Sequence, residues 1–270
     1  MNSSRRKMLA KLSLALSAAV GLHRARADEG DPEILRCRLL PPVIPADVGP
    51  DKKFAADGKV QRYPGNTVLC HVPKQSEAFA ELGRACEALR AEAGVQNLSW
   101  LPPDSYHMTV FDGATDAYRR PGDWPQMLPL DAGMDACNRY LAKRLRKFDL
   151  GFDPPIRMVV DEREFPGGYT LIPLRPIDAR ENRRLRDLRD RISAVTGVRH
   201  SNHDSYRFHI SFAYYVRQFT PDEEANYQLA LARTVQRLRK ALPVIELAAP
   251  EYCLFEDMFA FRTQFLLRKL

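Results

Sequence analysis

No apolar run in this 270-residue sequence approaches the ~20 residues that a helix needs to cross a bilayer; the run from Leu12 to Leu22 covers only 11. A multi-span membrane protein is thereby excluded. No C-x-x-C pair occurs among the five cysteines (Cys37, Cys70, Cys86, Cys137, Cys253), and their number is odd. A zinc ribbon or a thioredoxin-like centre is therefore not indicated. Cys70 and Cys86 sit in apolar patterns that suit core packing, and the pairing of the five stays open. Hydrophobic residues make up 45% of the chain and charged residues 28%, which excludes disorder and a collagen-like fibre.

What the chain does have at its start is an address. Arg5-Arg6-Lys7 precede the apolar run, and Ala25-Arg26-Ala27 follow it. A basic start, a short apolar stretch and an A-x-A site are the three parts of an export signal. The adjacent arginines resemble a twin-arginine signal, which delivers a protein already folded. The competing reading is an amphipathic N-terminal helix of a cytosolic protein. Cleavage is expected after Ala27, giving a periplasmic or secreted protein. The formal net charge of +7 then loses its meaning, because six basic residues and no acid lie in that segment. Their removal leaves 35 of the 41 basic residues against 34 acids, close to neutral. No stable nucleic-acid complex, no membrane anchor and a monomer are expected.

Residues 28–65 are rich in Pro, Gly and Asp and read as an irregular lead-in. From 66 to 270 one order of elements occurs twice. A strand at Thr67–Val72 is followed by a helix with Phe79, Leu82, Cys86 and Leu89 on one face, ending near Gly94, and then by a strand from Ser105 to Phe111. In the second half a strand at Tyr169–Leu174 precedes a helix with Leu185, Leu188, Ile192 and Val195, and then a strand from Tyr206 to Tyr214. Thr67 to His107 and Tyr169 to His209 are both 40 residues, so the halves repeat at 102. Further helices are expected at Met134–Lys147 and Pro221–Leu242, and strands at Ile156–Val160, near Ile245, and from Leu254 to Phe265. Such a mixture argues an α+β fold of two similar lobes built by duplication.

Each repeated strand carries an imidazole two residues before a hydroxyl: His107 with Thr109, and His209 with Ser211. In a strand, residues i and i+2 share a face. Two histidines, one neutral and one protonated, are the acid and base that in-line cleavage of a phosphodiester requires. Two hydroxyls can donate to the phosphate oxygens. A third copy, His203-Asp204-Ser205, lies in a polar loop without apolar flanks.

These paired H-x-[T/S] motifs resemble the two-histidine (2H) phosphoesterase superfamily. It includes the bacterial RNA 2′,3′-cyclic phosphodiesterases and cyclic nucleotide phosphodiesterases. The resemblance spans Thr67 to Phe265. It implies a bilobal α+β fold of two pseudo-two-fold-related antiparallel sheets with flanking helices and a central cleft. It further implies His107, Thr109, His209 and Ser211 as the catalytic tetrad, with neither metal nor cofactor. Serine in the second motif is a variant the family pattern allows, whereas the export signal and long lead-in depart from its compact cytosolic members.

The expected reaction is hydrolysis of a nucleotide-type or short RNA-type phosphodiester, above all a 2′,3′-cyclic phosphate. The alternative is a non-catalytic periplasmic binder of a phosphorylated ligand. Strand parity places Ser105 and Phe111 on the face of His107 and Arg207 on that of His209; Arg207 could contact a phosphate or form a surface ion pair, and Phe111 could stack on a base or pack in the core. His71, at the end of the first strand, could reach the cleft or be an edge histidine. Tyr106 and Tyr206 read as core, and Trp100 as a cleft wall or a core anchor. His200, His203 and His209 form H-x2-H-x5-H, yet the first two sit on a loop, so a metal site is not expected. The arginine-rich helix from Arg180 to Arg191 reads as a solvated face with i,i+4 pairs such as Asp187 with Arg191.

Overall fold

The computed structural model describes residues 45–93, 96–162 and 170–270. The export signal, Cys37, Gly94 and Tyr169 lie outside them. Strand β1 (Gly65–His71), helix α1 (Glu77–Ala93), a short strand β2 (Leu98–Trp100) and strand β3 (His107–Thr115) form the first half of the repeat. After α2 (Met134–Leu145) and β4 (Ile156–Val160), the second half follows as β5 (Leu171–Pro176), α3 (Ala179–Thr196) and β6 (His209–Ser211). Then come β7 (Ala213–Tyr215), α4 (Pro221–Ala241), β8 (Ile245–Leu247), β9 (Glu251–Phe255) and β10 (Arg262–Leu266).

The duplication holds down to the helix caps. Ser76 Oγ accepts the Phe79 amide at 3.1 Å before α1. Asp178, 102 residues later, accepts the Glu181 amide at 2.7 Å before α3. Each satisfies a backbone N–H that the first turn leaves without an intrahelical partner. Gly197 ends α3 at φ 71°, a left-handed stop that a glycine adopts without a Cβ penalty. The anticipated apolar faces are buried, with Leu82, Cys86 and Leu89 on α1 and Leu185, Leu188 and Ile192 on α3.

The eight-stranded sheet has the order β10-β9-β1-β3-β6-β5-β4-β8, and every neighbouring pair is antiparallel. Each half contributes two strands, β1 with β3 and β6 with β5, and the halves run on into one another where Met108 pairs with Ile210. The strand expected over Tyr206–Tyr214 breaks at Phe212, whose amide is drawn to the Thr170 carbonyl. Beyond the break, β7 leaves the large sheet and pairs with β2 in a two-stranded one. The terminal stretch from Leu254 to Phe265 is likewise a hairpin arm of two strands rather than one.

Val48, Phe54 and Tyr63 of the lead-in are buried in the same hydrophobic core as both halves. The four described cysteines are free and buried. Among the described residues no helix is long and apolar enough to cross a membrane.

Candidate active site

The register of β3 and β6 decides the geometry. With Met108 opposite Ile210, an antiparallel pair sets His107 opposite Ser211 and Thr109 opposite His209. Directly opposed Cα atoms lie ~4.5–5.5 Å apart, and residues i and i+2 on one strand ~6–7 Å apart. The four side chains form a rectangle with the two imidazoles on one diagonal. All four are half-buried, whereas Met108, Val110, Ile210 and Phe212 between them are fully buried. The two motifs thus stand on adjacent strands of one sheet.

Both rings are held in the same way. His107 Nδ1 lies 2.6 Å from the Ser105 carbonyl, and His209 Nδ1 lies 2.9 Å from that of Arg207. A carbonyl only accepts, so each Nδ1 carries the proton and each neutral ring keeps its lone pair on Nε2. Burial pushes the His107 pKa down to about 4 against the pull of the Ser105 carbonyl, with His71 and His209 adding to the effect. Burial also lowers His209, opposed by the Arg207 carbonyl and the Asp112 carboxylate.

The other candidates are placed unequally. His71 pairs directly with His107 across β1 and β3, and the ring centroids are 6.3 Å apart. Ser105 is buried in a turn, where its hydroxyl donates to Pro102 and its carbonyl orients His107. Arg207 is half-buried, and its carbonyl orients His209. Phe111 does not share the open face, which corrects the parity argument. Leu69 pairs with Thr109 and Val68 with Phe111, so β3 has one residue too many at Val110. The bulge turns Phe111 into the core, 6.0 Å from His203, and leaves Asp112 half-buried instead. Gly113 was the available sign, since a glycine inside a strand marks a bulge or a close approach. A Cβ there would meet Asn66 Oδ1 at 2.1 Å.

Tyr206 is buried as expected, yet it also serves the open face, because it lies before β6 and strand parity does not apply to it. Its ring centroid is 6.2 Å from that of His209, and its hydroxyl shares a hydrogen bond with Thr109. Arg186 and Arg189 run against the expected solvated helix: Arg186 donates to the Tyr206 carbonyl at 2.7 Å, and Arg189 lies 4.1 Å over the Tyr206 ring. Asp187 and Arg191 do form the anticipated surface pair, at 2.8 Å. Phe261 packs 4.3 Å from the His107 ring, and its position after β9 gave no local signal.

The lead-in brings Lys53, whose Nζ is 2.9 Å from Asp47 and 4.7 Å over the Tyr214 ring. Its charge lowers the His209 pKa. Trp100 is half-buried at the end of β2 and packs on the core. His200 and His203 do not converge with His209. The first lies between Asp123 and the Gly113 carbonyl, and the second bonds Asp190.

A family model, 2H-phosphodiest, described as a domain of unknown function (DUF1868), matches residues 53–167. The crystal structure of the conserved protein of unknown function ATU0111 from Agrobacterium tumefaciens str. C58 is similar at 31% identity and a TM-score of 0.73. The match covers 80% of this chain and 90% of that one. No curated protein matches. The family domain supports a phosphoesterase-type activity. Duplicated halves, a matching family domain and a relative similar over nine-tenths of its own length agree: the chain belongs to the 2H phosphoesterase superfamily.

Proposed function

We propose that this protein hydrolyses a nucleotide-type phosphodiester, foremost a 2′,3′-cyclic phosphate, by acid–base catalysis between His107 and His209. The observation that carries this reading is the rectangle of His107, Thr109, His209 and Ser211, with both imidazoles oriented alike through Nδ1 by the backbone carbonyls of Ser105 and Arg207. With the phosphate over the rectangle, the Thr109 and Ser211 hydroxyls donate to its non-bridging oxygens. His107, whose pKa burial pushes down to about 4, takes a proton from water through Nε2. The water oxygen bonds to phosphorus, the bond from phosphorus to the leaving ribose oxygen breaks, and the His209 imidazolium protonates that oxygen. The product is a phosphomonoester, and the two rings have exchanged protonation states. The proton balance closes on the two rings without a metal. The export signal read in residues 1–27 supports action in the periplasm or outside the cell.

The test is a screen of 2′,3′-cyclic, 3′,5′-cyclic and 2′,5′-linked substrates with EDTA present. Turnover of the first class is expected. Abolition by the chelator, restored by added metal, would refute the mechanism. Thermal stabilisation by every nucleotide without turnover would instead identify a binder.

The lowered pKa values give a second expectation. The free enzyme needs a neutral base and a protonated acid. Below about pH 4 His107 gains a proton and the base is lost. As pH rises through the depressed pKa of His209, the acid is lost. The maximum in kcat/KM therefore falls below pH 6.5, the value for an unperturbed histidine. The upper limb of kcat lies at higher pH, because bound phosphate stabilises the imidazolium. A kcat/KM still rising between pH 6.5 and 8 would contradict this assignment.

A further inference from the structure

The duplication doubles the caps, the motif strands and the carbonyls that orient both histidines, but it does not double His71. Its counterpart 102 residues on is Pro173, and the pairing confirms the equivalence: His71 lies opposite His107, and Pro173 opposite His209. The fold therefore accepts a proline at this position, and packing alone does not call for an imidazole.

His71 is also a built feature. Its Nδ1 lies 3.1 Å from Glu251 Oε1, and its amide donates to the same oxygen at 3.4 Å. The Thr263 hydroxyl donates to Glu251 Oε2. Although burial acts against the charge of Glu251, the bonds from His71 and Thr263 lower its pKa and keep it anionic. A carboxylate thus fixes the ring and leaves its Nε2 turned from Glu251. The Phe261 ring lies against His107 at 4.3 Å.

We propose that His71, oriented by Glu251, is a positioning residue that acts on His107 alone and makes the two symmetry-related histidines chemically unequal. Three titratable groups bear on the His107 ring: His71 from β1, His209 from β6 and Glu251 from β9. The thiols of Cys70 and Cys253 lie near Glu251, and burial holds both protonated. Near pH 4, where His107 titrates, His71 disfavours a proton on His107 and Glu251 favours one. The position across from His209 is held by the uncharged Pro173, and the charges that bear on His209 come instead from Asp112 and Lys53. The proposal deepens the acid–base reading of the site, but its first test does not depend on turnover.

That test is an NMR titration of the histidine ring carbons in the full protein, with His107 and His209 assigned from their alanine variants. His71→Gln removes the imidazole and leaves Glu251, so the His107 midpoint should rise by about half to one pH unit. Glu251→Gln should lower it, and the double variant should return near the wild-type value. His209 should stay within about 0.2 unit throughout. A His107 midpoint unmoved in either single variant, or an equal movement of His209, would overturn the proposal. If His71→Gln does not fold, Glu251→Gln with its opposite sign still decides.

Where turnover is detected, the acid limb of kcat/KM should move with the NMR midpoint. A loss of equal proportion at every pH would indicate a merely structural role and count against the proposal. An enzyme inactive on every phosphodiester refutes the proposed function, while the titration still reports on His71.

Discussion

His107→Ala is expected to lower kcat/KM for a 2′,3′-cyclic nucleotide by about 10²–10⁴-fold, and His209→Ala by a similar factor. The size follows from the proton balance: each ring carries one of the two transfers. The double variant should lose little beyond the worse single one, because groups that act as a unit are not additive. Thr109→Val and Ser211→Ala remove one donor each to a developing phosphate charge, with losses of up to about 10²–10³-fold. The fold should tolerate all four changes. The side chains stand half-buried on the open face, while Met108, Val110, Ile210 and Phe212 keep the strands anchored. Initial rates and melting temperatures, measured together on matched preparations, check this. Activity surviving both histidine substitutions would sink the acid–base assignment.

The legible part of this site is the part that the chain states twice. The interval of 102 residues joins His107 to His209, Ser76 to Asp178 and Glu77 to Ala179, the first residues of α1 and α3. Period-2 alternation then places the motif pairs on one face without any tertiary information. What escaped has no local period. The extra residue at Val110 exchanges Phe111 for Asp112, since one inserted residue shifts every later side chain to the other face. The break at Phe212 comes from a long-range bond to Thr170, 42 residues away. The lead-in has no regular pattern, yet its Phe54 is fully buried 5.0 Å from the Tyr214 ring and carries Lys53 with it. Arginines in a charged helix read as solvated until something aromatic and several carbonyls face them, which is what tertiary structure supplies to Arg186 and Arg189.

Arg189 sets the largest stability effect expected of a single substitution outside the motifs. The side chain is 2% exposed, and its guanidinium lies over the Tyr206 ring. Nη1 donates to the Val110 carbonyl at 2.6 Å, and Nη2 to the His203 carbonyl at 3.2 Å. It therefore ties α3 to the bulge that defines the open face and to the loop that leads into β6. Arg189→Ala leaves two buried carbonyls without these donors and opens a cavity under Tyr206. Together these cost about 3–5 kcal/mol, or a fall in melting temperature of roughly 6–20 °C for a chain of this size. Arg189→Met fills most of the volume and removes a charge that burial disfavours, so its melting temperature should fall by less than half as much. Its kcat/KM should still drop, because Tyr206, which holds the Thr109 hydroxyl, loses the group that packs it in place. Thermal melts with initial rates at 25 °C separate the two effects. An Arg189→Ala protein that melts within 2 °C of wild type would show that the guanidinium does not hold this side of the site together.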